Sequence, residues 1–152
     1  MEILSKSAEE TGKAAESFIL KLTPKEISAT IVGLYGNLGS GKTTFVQSAA
    51  KTLGVSENVL SPTFLIFRRY ALDNPYFESL IHVDAYRLVF EEEIRKLGWK
   101  ELISNPKNLV FVEWPENIPR AMPEHIKIFF SIPENEEDKN GDINQNIRKI
   151  VF

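Results

Sequence analysis

Eight consecutive residues, Gly36-Asn37-Leu38-Gly39-Ser40-Gly41-Lys42-Thr43, fit the pattern G-x-x-x-x-G-K-[ST]. The chemistry this pattern serves is the binding of nucleotide phosphates. Its glycines let backbone N–H groups turn toward phosphate oxygens, and a helix starting where the loop ends adds the positive end of its dipole. Lys42 is then expected to reach the β- and γ-phosphates, with the Thr43 hydroxyl on Mg²⁺. The pattern carries weight only between a strand and a helix. Both are present: the apolar run Thr30-Ile31-Val32-Gly33-Leu34-Tyr35 precedes it and the helix-compatible Thr44-Phe45-Val46-Gln47-Ser48-Ala49-Ala50-Lys51 follows. The expected nucleotide contacts are therefore Asn37, Leu38, Gly39, Ser40, Gly41, Lys42, Thr43 and Thr44.

Phosphoryl transfer to water also needs acidic groups that hold Mg²⁺ and orient the attacking water. Asp84 ends the strand-like run Leu80-Ile81-His82-Val83-Asp84, and Glu113 ends Leu109-Val110-Phe111-Val112-Glu113. Ligands of open α/β sheets sit beyond the carboxyl ends of the strands. Taken singly, an acid at a strand end is as often a turn or cap residue as a ligand. Pairing with the phosphate loop makes Asp84 and Glu113, with Lys42, the expected catalytic residues, and Thr43, Asp84 and Glu113 the expected metal ligands. Trp114 could be core packing, but its place beside Glu113 favours lining the pocket. Thr63, after Ser61-Pro62, could approach the γ-phosphate as switch segments do. His82, alone in a strand, reads as a structural histidine. Arg68, Arg69 and Arg87 suit phosphate, a partner or solvent alike.

The elements that must position these groups can be read from the pattern. Ser7-Ala8-Glu9-Glu10 is a capping box opening a helix through Ala15, Phe18, Ile19 and Leu22 that ends before Pro24. Gly54 stops the helix after the phosphate loop. The run from Phe64 to Tyr70 and the run from Leu80 to Asp84 flank turn-forming residues and are expected to pair as an antiparallel hairpin or neighbouring strands. Phe90 to Leu97 reads as an amphipathic helix closed by Gly98, and Leu109 to Glu113 as a strand buried on both sides. Ile126, Ile128, Phe130 and Ile132 alternate onto one face, with Ile147 to Phe152 as partner strand through a solvated acidic connector, Pro133 to Asp138. The fold class is α/β: a P-loop NTPase-like three-layer α/β/α domain spanning residues 1–152, with a mainly parallel central sheet and an antiparallel hairpin.

At 152 residues and 43% hydrophobic content, the chain can bury about 70% of its unfolded surface in one core. Its net charge of −3 and pI near 5.5 repel rather than attract a phosphate backbone, so any nucleic acid is expected to be held by a partner. The absence of cysteine excludes disulfides and thiolate metal sites. No apolar run approaches the ~20 residues that span a bilayer, and the N-terminus lacks a signal core, so a soluble cytoplasmic protein without membrane association is expected. No N-K-x-D motif is present to read guanine, which tilts the nucleotide to ATP. A small-molecule P-loop kinase or a nucleotide-gated binding module would share the same loop.

Four blocks, Gly36 to Phe45, Ser61-Pro62-Thr63-Phe64, His82-Val83-Asp84-Ala85-Tyr86-Arg87-Leu88 and Val112-Glu113-Trp114-Pro115-Glu116, resemble in order and spacing those of the bacterial TsaE family. The resemblance covers about Leu34 to Glu116. It implies the ATPase component of the machinery that makes N6-threonylcarbamoyladenosine at position 37 of tRNAs. The partners it implies are the threonylcarbamoyl transferase TsaD and its non-catalytic relative TsaB, with tRNA contacted mainly through them. By the same resemblance, Lys42 and Thr43 carry the phosphate and Mg²⁺ roles, Asp84 and Glu113 are the acids, and Trp114 stands beside the nucleotide. Activity is expected to be low alone and stimulated by the partners.

Overall fold

The phosphate-loop residues leave the carboxyl end of a fully internal strand. The computed structural model describes residues 1–60, 62, 66–133 and 146–152. Its seven strands are β1 (Glu2–Ser5), β2 (Thr30–Tyr35), β3 (Phe67–Ala71), β4 (Ser79–Asp84), β5 (Asn108–Glu113), β6 (Ile126–Ser131) and β7 (Arg148–Val151). They form one sheet in the order β1-β7-β6-β2-β5-β4-β3. β6, β2, β5 and β4 run parallel at the centre. The expected hairpin is β3 against β4, displaced from the sequence reading to Phe67–Ala71. Antiparallel pairing extends further than one hairpin, because β7 pairs with β6 and β1 with β7 at the opposite edge. Thr63, with Ser61, Phe64 and Leu65, lies outside the described residues, as does the acidic connector from Glu134 onward.

The helices are α1 (Ala8–Lys21), α2 (Lys42–Thr52), α3 (Glu91–Lys96) and α4 (Trp99–Ser104). The Ser7 side chain caps α1 by accepting from the Glu10 N–H, and Glu10 in turn accepts from the Lys6 N–H at 2.7 Å. Successive strand residues enter two separate apolar clusters, as the two-residue period of a strand requires. Val32, Leu34, Leu80, Leu109 and Phe111 join Ala14, Ala15 and Phe45 of α1 and α2. Ile31, Ile81, Val83, Val110 and Val112 join Ile94 and Trp99 of α3 and α4. All of β5 is buried, as its unbroken apolar sequence requires. Ile128 and Phe130 are buried, whereas Ile132 lies beyond the end of β6 and is 40% exposed.

Phe45 locks the first turn of α2 against the sheet. Its ring centroid lies 5.8 Å from that of Phe18, 6.3 Å from Phe111, 5.5 Å from Phe130 and 6.2 Å from Phe152. Each such pair contributes about 0.5–1.5 kcal/mol beyond burial, and together they fix where Lys42 and Thr43 stand. The loop itself is held by Gly36, whose φ of +140° and close approach leave no room for a side chain: a Cβ there would lie 2.2 Å from the Phe130 carbonyl oxygen. Gly36→Ala is therefore expected to cost at least about 2 kcal/mol, read as a lower urea midpoint at unchanged slope.

Candidate active site

A cleft of about 750 Å³ opens over the N-terminus of α2. This helix start is chemically unlike that of α1. Its N-cap is Gly41 at φ 102°, so no side chain caps it, and its first turn holds no acidic residue. Its first residue is instead Lys42. Unpaired N–H groups and a cation thus share one helix end, an arrangement that a bound anion relieves. The loop glycines Gly36, Gly39 and Gly41 all have positive φ, which explains glycine at these positions.

Lys42 is 4% exposed. Its Nζ donates to the carbonyl oxygens of Gly36 at 2.6 Å and Asn37 at 3.0 Å, and stands 4.1 Å from the centroid of the Trp114 ring. Burial pushes its pKa below the ordinary lysine value, opposed by the negative charges of Glu113, Glu116 and Asp84. Trp114 reaches this place through a left-handed conformation, φ 59° and ψ 47°, that is costly for a bulky residue. Its N–H donates to Leu34 O at 3.3 Å, its ring packs 4.9 Å from Tyr86, and the turn Pro115–Asn117 follows. The backbone strain is thus spent on placing an aromatic face beneath an ammonium.

The register of the parallel strands brings the two acids together, with Asp84 opposite Glu113 and Glu113 opposite Leu34. Glu113 is 3% exposed. The Thr43 hydroxyl donates to its Oε1 at 2.9 Å and Oε2 at 3.1 Å, and His82 Nε2 lies 2.8 Å from Oε1. Asp84 Oδ1 accepts from the Tyr86 N–H at 2.9 Å. A hydroxyl and two carboxylates at the mouth of an uncapped helix are hard oxygen donors suited to Mg²⁺ shared with phosphate oxygens, so the residues present fit both groups.

Every residue from Leu38 to Thr44 lines the cleft, as do Asp84, Glu113 and Trp114. Asn37 takes part through its backbone carbonyl and is exposed. Arg87 lines the cleft, whereas Arg68 and Arg69 stand on β3, where Arg69 Nε donates to Ser79 Oγ at 3.0 Å. Sequence reasoning missed Arg148 of β7, whose Nε donates to Gly39 O at 3.1 Å and buttresses the loop from the last strand. It also missed Lys6, Ser7 and Thr11, which line the cleft beside Arg148. No local pattern marks Lys6, Thr11 or Arg148, and Ser7 is marked only as a helix cap; the β1–β7 pairing brings them there. His82 is buried as expected, but its partner is Glu113 rather than the core alone.

Comparison with known proteins gives the family. Residues 5–142 match the family model described as threonylcarbamoyl adenosine biosynthesis protein TsaE. The tRNA threonylcarbamoyladenosine biosynthesis protein TsaE of Rickettsia bellii is 39% identical over 118 residues, 77% of this chain and 76% of that protein. The protein of the same name from Haemophilus influenzae is 32% identical over 113 residues, 74% of this chain and 68% of its own. The crystal structure of Bacillus subtilis YdiB superimposes with a TM-score of 0.73 at 26% identity, covering 99% of this chain and 82% of that one. The chain belongs to the TsaE family of tRNA threonylcarbamoyladenosine biosynthesis proteins.

Proposed function

We propose that this chain is a P-loop NTPase-like three-layer α/β/α domain that hydrolyses ATP with Mg²⁺, acting in threonylcarbamoyladenosine formation with the transferase TsaD and its relative TsaB. The observation that carries the reading is the convergence of Lys42, Thr43 and Glu113 at the uncapped start of α2. Lys42 would exchange its two loop carbonyls for phosphate oxygens, and the free N–H groups of the first turn of α2 would take the remaining phosphate charge. Thr43, Asp84 and Glu113 would hold Mg²⁺, which when bound neutralises developing charge on the phosphate oxygens. A buried carboxylate that already accepts hydrogen bonds is also suited to orient a water, so Glu113 serves the metal or the nucleophile. Trp114 and Tyr86 exclude solvent beside Lys42.

Calorimetric titration with ATP, ADP and GTP, combined with product analysis, tests this. ATP and ADP should bind, GTP more weakly, and ADP and inorganic phosphate should appear in equal amounts only with Mg²⁺. A phosphorylated acceptor in place of free phosphate would make the protein a small-molecule kinase instead. Asp84→Asn should raise the Mg²⁺ concentration for half-maximal turnover about 10-fold. An unchanged metal titration would make Asp84 a turn residue that accepts from the Tyr86 N–H.

The negative net charge and the acids gathered at this cleft support leaving tRNA to the partners. Among the described residues no helix is long and apolar enough to cross a membrane.

A further inference from the structure

We propose that His82 is the positioning residue for Glu113, anchoring one carboxylate oxygen so that the other remains available to the reaction; this rests on the ATP hydrolysis proposed above. His82 is fully buried and stands two residues before Asp84 on β4, opposite Phe111, two residues before Glu113. It therefore lies on the same sheet face as both acids, one step deeper. A carboxylate only accepts hydrogen bonds, so the 2.8 Å contact to Oε1 makes Nε2 the donor. The other ring nitrogen, Nδ1, is buried and has no hydrogen-bond partner among the described residues. A leucine would fill this space without an orphaned polar atom. What the imidazole adds is the bond to Glu113.

That bond matters because the other donor to Glu113 among the described residues does not distinguish its two oxygens. The Thr43 hydroxyl carries one proton and bridges both carboxylate oxygens. A hydroxyl that gives a lone pair to a metal keeps its proton to donate, so Thr43 can serve metal and carboxylate together, and the side chain that singles out one oxygen of Glu113 is His82. The anchored oxygen is Oε1, which leaves Oε2 as the working oxygen. A carboxylate fixed at one end has one rotamer to offer, which is the function of a partner behind a ligand.

Paired substitutions test this. The glutamine amide nitrogen reaches about as far as histidine Nε2, whereas the asparagine amide falls short of it. His82→Asn is expected to lower kcat about 10-fold or more. It should also remove most of the gain in ADP affinity that Mg²⁺ gives, measured by calorimetry, while ADP binding without Mg²⁺ stays at the parent value. His82→Gln should restore both within about 3-fold. His82→Leu, which packs without an orphaned nitrogen, should show the same losses and replaces the asparagine variant if that one folds poorly. Parent-like turnover and Mg²⁺ enhancement in the asparagine or leucine variant would overturn the assignment, as would a glutamine variant no better than asparagine. If the parent protein hydrolyses no ATP, the proposed function fails, while the Mg²⁺–ADP comparison still decides the role of His82.

Discussion

Lys42→Ala is expected to lower kcat/KM for ATP about 10²-fold, roughly 3 kcal/mol of transition-state stabilisation, as removal of a preorganised charge donor does. It is expected to do so without unfolding the protein. Lys42 is buried against two carbonyls and the Trp114 ring, and burial lowers its pKa. A lysine lowered in this way resists being charged in the folded state. The resulting penalty is fully present below the lowered pKa and is relieved as pH rises through it toward the ordinary value of about 10.4. At neutral pH the parent carries that penalty and the alanine variant does not, which offsets the lost hydrogen bonds. The melting temperatures should therefore agree within about 4 °C, and the parent should gain stability relative to the variant as pH is raised into that window. Parent-like turnover by the variant would remove the mechanism.

Glu113→Gln should have the second large effect, reducing kcat by about 10²–10³-fold while ADP binding in the absence of Mg²⁺ persists. The amide keeps the shape of the carboxylate but loses the charge shared by Thr43 and His82. The amide oxygen, in the place of Oε1, can still accept from both His82 and Thr43. Glu113→Ala leaves the buried His82 N–H without its acceptor and removes the acceptor of the half-buried Thr43 hydroxyl. It should therefore be less stable than the glutamine variant by about 1–3 kcal/mol. Loss of Mg²⁺-free nucleotide binding in the glutamine variant would instead place Glu113 in phosphate recognition.

The parts of the site that lie in unbroken local patterns were legible in the sequence. The loop from Gly36 to Thr43 is contiguous, and its glycines, Lys42 and Thr43 stand where the pattern requires. Asp84 and Glu113 close strands whose apolar runs identify them, and the parallel register places them side by side. Two short elements, β1 and α4, were not legible. β1 has four residues and gains its place by pairing with β7 from the other end of the chain. α4 begins at Trp99 directly after Gly98, whose left-handed φ of 78° starts a new helix where the sequence suggested only a stop. The same long-range pairing explains Arg148 at the loop, and strand packing explains His82 behind Glu113. A side chain that acts through another across two strands leaves no spacing to read.

The most direct test of the account is steady-state phosphate release from ATP by this protein alone and with the purified transferase pair, with Lys42→Ala as the blank. Slow Mg²⁺-dependent turnover alone and marked stimulation by the pair are expected, with neither in the variant. Turnover that is indifferent to the pair, or that survives in Lys42→Ala, would contradict it.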